Sequence, residues 1–150
     1  MTDELRPGEI TVDLPGLFDA GLWFIGRIHT PWTERKDCPR RGDAEAGPLC
    51  EIELDPRWLP ALDGVAKKSR IQVLYWMDRA RRDVVRQTRH GHEEPTGTFA
   101  LRSPVRPNPI ASSVVRLISV RGNRLQVRGL DCLDGTPLLD LKPDIDIPAR

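Results

Sequence analysis

Arg102, Arg106 and Asn108 lie in a proline-rich stretch, residues 102–110, whose backbone is the most constrained in this sequence of 150 residues. Three prolines fix φ at about −65° and push each preceding residue out of helical space, so the stretch must be extended. They also remove three N–H groups, which excludes a central strand. A stiff segment carrying two guanidiniums and an amide loses little entropy on binding a ligand. It is a candidate binding site, and a plain crossover between strands explains the composition equally well.

A second candidate site is the segment 130–137, Leu-Asp-Cys-Leu-Asp-Gly-Thr-Pro, in which two carboxylates bracket a turn. Those carboxylates are Asp131 and Asp134, and Asp134-Gly135 is also an ordinary turn signal. If the fold brings this turn toward the proline-rich stretch, carboxylates and backbone donors would face the two arginines across one pocket. Both interpretations stay open on this pattern.

Metal chemistry has little support in the sequence. His90 and His92 form a pair, but His29 is remote and the three cysteines are dispersed, so further donors with usable spacing are missing. We therefore predict no metal site. No GxGxxG, Walker, GxSxG or HExxH signature occurs. An odd number of cysteines without a CxxC pair indicates reduced thiols in a cytosol.

The charge is unevenly distributed although the net charge is only +1. Residues 1–20 contain five acids and one base, whereas residues 97–130 contain six arginines and no acid. Residues 65–92 contain eight bases and two acids. A basic middle between acidic ends favours an anionic partner, most simply a nucleic-acid backbone. The alternative is a set of solvated strand faces that the acidic ends balance after folding.

The elements that carry these residues are predicted to be mostly strands. With 12 glycines and 14 prolines, the composition favours short strands joined by turns. Alternating or β-branched patterns predict strands over 23–28, 49–54, 70–77, 96–101, 113–120, 124–128 and 138–142. Asp55-Pro56 starts one short helix that ends by Gly64. Of the neighbours Tyr75 and Trp76, one should face inward.

We therefore predict a mainly β protein, a small single-domain β-barrel of six or seven strands with one short helix. Closure into a barrel removes exposed strand edges. Residues 1–22 form an N-terminal extension, either loosely ordered or laid across an edge, and residues 23–150 form the barrel domain. Residues 32–48 form a long loop, and residues 78–95 a mobile polar excursion. Without a long apolar run or a signal pattern, we expect a cytoplasmic protein that is not bound to a membrane.

Three blocks of the sequence carry a family resemblance. They are Ile-Gly-Arg-Ile-His-Thr-Pro at 25–31, Gly-Thr-Phe-Ala-Leu-Arg-Ser-Pro-Val-Arg-Pro-Asn-Pro-Ile at 97–110, and Gly-Leu-Asp-Cys-Leu-Asp-Gly-Thr-Pro-Leu-Leu-Asp-Leu-Lys-Pro at 129–143. These blocks resemble the signature motifs of the TrmO family, also called YaeB-like or TsaA-like. The resemblance implies a β-barrel, usually a homodimer, that binds S-adenosyl-L-methionine outside a Rossmann fold. It further implies methylation of the N6 nitrogen of N6-threonylcarbamoyladenosine, next to the anticodon of tRNA.

The resemblance also implies site residues. The cofactor contacts would be Arg40, Arg41, Gly42, Asp78, Arg79, Arg102, Ser103, Ile110, Ala111, Ser112, Leu133, Asp134, Gly135 and Thr136. The catalytic candidates are Asn108, Asp134 and Arg106. Methyl transfer mainly requires alignment of nucleophile, carbon and sulfur. Because the target nitrogen is a poor nucleophile, Asp134 could accept its proton and Asn108 could orient the carbamoyl group.

Three positions depart from the family pattern, namely Asp78, Ala111 and Asp144. The family has histidine, glycine and tyrosine there. Acidic side chains near the pocket could alter the choice of substrate while preserving the cofactor. Two alternatives therefore accompany the tRNA hypothesis: the same cofactor with another nucleoside or a small molecule as acceptor, and a non-catalytic barrel that binds the cofactor or RNA.

Overall fold

The structure is a computed structural model that describes residues 4–145. These residues contain nine strands and four short 3-10 helices. The strands are β1 Ile10–Thr11, β2 Gly26–His29, β3 Cys50–Leu54, β4 Arg70–Trp76, β5 Val84–Gln87, β6 Thr96–Gly97, β7 Ile110–Arg121, β8 Arg124–Arg128 and β9 Thr136–Pro143. The 3-10 helices are Arg35–Asp37, Pro56–Leu62, Val65–Lys67 and Thr98–Ala100.

The chain divides into two compact units. We call Leu22–Trp76 with Ala111–Arg150 the barrel unit, and Met1–Gly21 with Met77–Ile110 the proline-loop unit. The predicted boundary between residues 22 and 23 stays a prediction, and residues 1–3 and 146–150 of the predicted segments lie outside the described residues. Within the described part of the chain, no helix has the length and apolar character to cross a membrane.

Six strands of the barrel unit close into a barrel in the order β2-β3-β8-β7-β4-β9. Strand β9 closes it, since β9 pairs antiparallel with β2 on one side and with β4 on the other. Alternate side chains point inward, as the strand period of two requires, so that Ile52, Val73 and Leu125 are fully buried. The predicted mainly β barrel is therefore confirmed, and of the four short 3-10 helices Pro56–Leu62 is the one that the sequence predicted.

The aromatic pair on β4 divides as predicted. Tyr75 is 2% exposed and faces the core, whereas Trp76 is half-buried. The predicted helix is also confirmed in position, as a 3-10 helix over Pro56–Leu62 that Asp55 caps by accepting a hydrogen bond from the Arg57 N–H. Pro60 lies inside it and lacks the N–H that a longer α-helix would need.

The predicted strand over 23–28 begins later, at Gly26. Trp23 and Phe24 are 62% and 40% exposed and do not belong to the ladder. The Trp23 ring instead packs edge-on against Trp58, with ring centroids 4.9 Å apart. Aromatic composition therefore indicated a strand where the side chains make a surface cluster.

The proline-loop unit contains the largest departure from the predicted elements. Residues 78–95 were expected to be a mobile excursion, but they contain β5, which pairs with β1 and β6 in a three-stranded sheet. Part of the predicted N-terminal extension thus belongs to a sheet. The predicted strand over 96–101 shortens to β6, because the chain turns into the 3-10 helix Thr98–Ala100.

A buried polar contact fixes the proline-rich stretch to this sheet. The Gln87 side-chain amide donates to Thr98 Oγ1 at 2.8 Å and to the Val105 carbonyl at 2.6 Å. Thr98 Oγ1 donates in turn to the Val84 carbonyl at 3.0 Å. Because buried polar groups are costly unless paired, these bonds favour one position of the loop on its sheet. Residues 102–109 form neither helix nor strand, as predicted, and β7 begins at Ile110. The chain bends at Pro104 and again over residues 106–108, so the stretch is not extended throughout.

The cysteines provide a test of the barrel core. Cys50 and Cys132 are free and buried, and burial raises the pKa of these thiols to about 11 and about 12. Cys38 is free and only half-buried, and burial, followed by the charge of Asp131, raises its pKa less. The thiolate is the nucleophile. At pH 8 the thiolate fraction of Cys50 is therefore about a hundredfold smaller than that of an ordinary thiol of pKa 9.0.

We predict that an aromatic disulfide reagent at pH 8 modifies Cys38 first and the other two thiols only as the barrel unfolds. All three should react at once in guanidinium chloride. In Cys38→Ser the early phase should disappear. Three equally fast thiols in the folded protein would contradict the packing described above.

Candidate functional site

The residues that the sequence analysis assigned to the site fall into two groups. The barrel unit contains Arg40, Arg41, Gly42, Ala111, Ser112 and the turn Leu133–Thr136. The proline-loop unit contains Asp78, Arg79, Arg102, Ser103, Arg106, Asn108 and Ile110. Each group has its own supporting contacts.

The polar centre of the barrel unit is the hydroxyl group of Tyr75. It donates a hydrogen bond to Asp131 Oδ1 at 2.6 Å and lies 2.8 Å from Ser113 Oγ. Tyr75 is on β4, Ser113 is on β7, and Asp131 precedes β9. Burial, followed by the adjacent charge of Asp131, raises the pKa of Tyr75 far above its usual value, so the hydroxyl remains a proton donor.

Asp131 is half-buried, and its hydrogen bond comes from a neutral hydroxyl. Between residues 4 and 145, no lysine, arginine or histidine forms an ion pair with it. Its negative charge contributes to the raised pKa of the Cys38 thiol. The centre therefore combines a fixed hydroxyl donor with a carboxylate that lacks a cation.

The predicted loop Arg40–Gly42 packs against the segment that leads to Asp131, and its glycine makes this contact possible. A Cβ on Gly42 would lie 1.8 Å from the carbonyl oxygen of Gly129, so only glycine fits this approach. Gly129 itself has φ +117° and stands two residues before Asp131. Arg40 and Arg41 are exposed at the surface of the same loop.

The other two predicted stretches of the barrel unit adjoin the same centre in sequence. Ala111 and Ser112 directly precede Ser113 on β7, and Ser112 Oγ accepts from the Gln72 amide at 2.9 Å. The turn Leu133–Thr136 follows Asp131. It is rigid, since the Thr136 hydroxyl donates to the Leu133 carbonyl at 2.7 Å and Gly135 adopts φ +83°.

Asp134, the predicted proton acceptor, already has partners on one oxygen. Its Oδ1 accepts from the Thr30 N–H at 3.1 Å and lies 3.4 Å from His29 Nδ1. The side chain is 43% exposed. The other oxygen, Oδ2, has no hydrogen bond from the described residues, so the predicted role is compatible with these contacts and stays a prediction.

His29 also takes part in a cluster that sequence reasoning missed. Its ring and the carboxylates of Glu51 and Glu53 offer ligand atoms within 4.8 Å of one another. The β2–β3 register places His29 opposite Glu51, which the sequence spacing did not reveal. Arg124 pairs with both carboxylates, so a cation already balances their charge. The predicted lack of a metal site stays a prediction.

In the proline-loop unit, Arg106 supports its own loop. Its Nη1 donates to the carbonyls of Leu101 and Ser103 at 3.0 and 3.1 Å, and its backbone N–H donates to the Arg81 carbonyl at 3.2 Å. The sequence suggested that this guanidinium would contact a ligand. The observed contacts give it a structural role, and a catalytic role stays a prediction.

Asn108 is held by Arg82, a residue that sequence reasoning also missed. Arg82 donates from Nε to the Pro107 carbonyl at 2.6 Å and from Nη2 to Asn108 Oδ1 at 3.0 Å. It also stacks on the Phe18 ring at 3.9 Å. Because the amide oxygen accepts from Arg82, the exposed Asn108 presents its NH₂ group as a donor.

The remaining predicted residues of this unit are at its surface. Asp78 and Arg79 lie in a turn after β4 in which the Ala80 N–H donates to the Met77 carbonyl at 3.0 Å. Arg102 and Ile110 are exposed, whereas half-buried Ser103 accepts from the Val105 N–H at 3.2 Å. These contacts fix the loop and the turn in place.

Two cavities of the barrel unit lie away from the predicted residues. One of about 460 Å³ is lined in part by Lys67, Lys68 and Lys142. The other, of about 310 Å³, is lined in part by Phe24 and Arg27. None of the predicted site residues lines either cavity, so cavity volume would have pointed to other surfaces.

Comparisons with known proteins agree with the motif blocks. A relative from Rhizobium radiobacter, described as a probable S-adenosyl-L-methionine-binding protein VirR, is 52% identical over 140 residues, which cover 93% of this chain and 79% of the relative. An S-adenosyl-L-methionine-binding protein of Archaeoglobus fulgidus is 42% identical over 81% of this chain and 89% of its own length.

The fold is similar to that of a solved structure. A crystal structure of TrmO from Pseudomonas aeruginosa superposes with a TM-score of 0.70 at 31% identity, covering 89% of this chain and 62% of that chain. This chain spans 56 to 63% of the length of three such TrmO chains. Residues 27–147 match the family described as the tRNA-methyltransferase O N-terminal domain. The chain therefore belongs to the tRNA-methyltransferase O N-terminal domain family.

Proposed function

We propose that this protein is an S-adenosyl-L-methionine-dependent methyltransferase that methylates the N6 nitrogen of N6-threonylcarbamoyladenosine, next to the anticodon of tRNA. The observation that carries the proposal is the family match over residues 27–147, which includes the proline-rich and turn blocks. Two relatives named for binding the same cofactor support it. All residues that the family resemblance assigns to the cofactor keep that proposed role, and the basic segments are proposed to contact the RNA.

The negative charge of Asp131 in the barrel unit is complementary to the positive charge of this cofactor. When bound, S-adenosyl-L-methionine supplies a methyl group on a positively charged sulfonium. Asp131 is a half-buried carboxylate without a cationic partner in the described structure, and Tyr75 holds it in one orientation. The glycine contact between Gly42 and Gly129 keeps the Arg40–Gly42 loop beside it. A cationic ligand would complete this arrangement.

Two side chains are proposed to act on the methyl acceptor. The NH₂ group of Asn108 donates to the carbonyl of the carbamoyl group, because Arg82 already occupies its amide oxygen. The Oδ2 atom of Asp134 would accept the proton that the nitrogen loses when the methyl group passes to it and the methyl–sulfur bond breaks, since Oδ1 is engaged by Thr30 and His29. Arg106 contributes by stiffening the loop that carries Asn108.

The proposed RNA contacts come from the basic segments 65–92 and 97–130. Arginine and lysine side chains there would neutralise phosphates, so affinity for tRNA should fall steeply as salt rises. Exposed Arg40 and Arg41 add positive charge to the barrel unit. Asp78, Ala111 and Asp144 remain the positions at which the choice of acceptor could differ within the family.

We also propose that the protein acts as a homodimer in the cytoplasm. On β7, the apolar side chains of Val114 and Ile118 expose 42% and 43% of their surface. Exposed apolar side chains on a barrel exterior suit contact with a second copy. Val114→Lys with Ile118→Lys should shift a dimer to monomer in sedimentation velocity. A wild-type protein that sediments as a monomer at 100 μM, on the order of 10⁻⁴ M, would contradict the proposal.

The cofactor and the methyl acceptor are tested by two measurements. Calorimetry should show binding of S-adenosyl-L-methionine at about one site per chain, and no heat of binding would reject the cofactor. Anticodon-loop nucleosides from a strain lacking the gene should lose the methylated threonylcarbamoyladenosine peak in mass spectrometry. Cofactor binding combined with an unchanged peak would favour another acceptor or a non-catalytic binding protein.

Two alanine variants test the residues proposed to act on the methyl acceptor. Asn108→Ala and Asp134→Ala should each lower kcat by about 10²-fold, the usual contribution of one proton-transfer or polarising group. Affinity for S-adenosyl-L-methionine should change little in Asn108→Ala, whereas Asp134→Ala should also weaken it, because Asp134 is one of the proposed cofactor contacts. Thr30→Val, which keeps the backbone N–H that Asp134 accepts from, serves as a neighbouring control. Full methyl transfer by both alanine variants would show that their assigned roles are wrong.

A further inference from the structure

We propose that Asp131 supplies the negative charge that pairs with a cationic group of the bound cofactor, and that Tyr75 and Ser113 position it for that contact. This inference rests on the proposed function, since it assumes that S-adenosyl-L-methionine binds the barrel unit. It adds a residue that the sequence analysis did not assign to the cofactor. The cationic group is either the sulfonium or the α-ammonium.

The charge balance of the barrel unit supports a contact between Asp131 and a cation. The half-buried carboxylates of Glu51 and Glu53 contact Arg124, and that of Asp140 contacts Lys142 at 2.9 Å. Asp131 is equally half-buried, but the described residues offer it a hydroxyl group and no cation. Removing a carboxylate from water is costly unless a cation or several hydrogen bonds replace the water. The missing partner can be supplied by a ligand.

The Asp131 carboxylate is also held in one orientation before any ligand binds. A hydrogen bond of 2.6 Å joins the Tyr75 hydroxyl to Asp131 Oδ1, and Ser113 Oγ lies 2.8 Å from the same hydroxyl. Strands β4 and β7 therefore fix one oxygen of Asp131 and leave Oδ2 for another contact. Because Tyr75 is buried and its pKa is raised, it stays neutral and cannot itself compensate the charge. The carboxylate is both oriented and uncompensated.

The surroundings of the Asp131 carboxylate include two of the predicted cofactor-binding stretches. The Arg40–Gly42 loop packs on Gly129, and the rigid turn Leu133–Thr136 follows Asp131, so two stretches that resemble cofactor-binding motifs flank it. The Cys38 thiol beside it is neutral at pH 7, because burial and Asp131 raise its pKa. Arg35 acts on the same thiol, and Arg40 and Arg41 lie in the flanking loop, so positive charge is present nearby, but no cationic side chain of the described residues forms an ion pair with Asp131. A cationic ligand can supply that direct partner.

The test is calorimetric and does not depend on turnover. Asp131→Asn keeps the shape of the side chain and removes its charge. We expect its affinity for S-adenosyl-L-methionine to fall about 10- to 100-fold, as for a charge-assisted contact of partly buried groups. S-adenosylhomocysteine, which lacks the sulfonium charge, identifies the source. If only S-adenosyl-L-methionine binding weakens, Asp131 faces the sulfonium; equal losses for both ligands assign it to the ammonium.

Controls separate this effect from a loss of structure. Asp140→Asn removes a carboxylate of the same unit that already pairs with Lys142, and it should leave cofactor affinity unchanged. Tyr75→Phe removes the positioning hydroxyl and should weaken binding less than Asp131→Asn. If Asp131→Asn fails to fold, Asp131→Ser and the charge-preserving Asp131→Glu are compared, and binding should follow the charge.

Failure of the proposed function and failure of the proposed role of Asp131 would give different results. If wild-type protein binds neither ligand, the proposed function loses its cofactor. If wild-type protein binds and a folded Asp131→Asn variant binds both ligands with wild-type affinity, the proposed function stands and the role of Asp131 is wrong.

Discussion

The hydrogen bond from Tyr75 to Asp131 is the contact on which the arrangement of the barrel unit depends. A buried phenol needs a partner, and here the partner comes from a segment 56 residues away in sequence. Ser113 joins the same hydroxyl group from β7. One polar interaction thus aligns β4, β7 and the segment entering β9, and it holds a carboxylate in a fixed orientation where the three meet.

Closure of the barrel explains why the block 129–143 is so dense in motif residues. Strand β9 pairs with β2 and β4, so the turn before it must also meet β2. It does so through the Gly135 N–H, which donates to the Ile28 carbonyl at 2.8 Å, and through the Asp134 carboxylate, which accepts from Thr30. The turn therefore closes the sheet at the place where proposed cofactor residues lie. Barrel closure and cofactor binding thus constrain the same few positions.

The sequence predicted what depends on local chemistry. The hairpin between β7 and β8 follows from Gly122, whose φ of +57° only glycine adopts readily, and Asp55 caps its helix as its residue type suggests. Strand β5 was missed because its two valines stand among arginines and its sheet is completed by pairing with β1 and β6, which the local pattern does not reveal. Long-range pairs were invisible for the same reason: the register that joins His29 to Glu51, like the bond from Tyr75 to Asp131, is set by the closed sheet and not by spacing along the chain.

Counting arginines indicated an anionic partner, but their contacts decide which of them can reach one. Arg106 binds the carbonyls of its own loop, Arg124 pairs with two glutamates, and Arg128 donates to the Gly47 carbonyl at 2.7 Å. Each keeps some N–H groups, since a guanidinium has five, but its position is fixed by the protein. Charge along a sequence therefore identifies the class of partner, whereas the availability of that charge follows from the fold. The same reasoning applies in reverse to Asp131, whose negative charge is inconspicuous in the sequence and becomes informative because the described structure does not balance it.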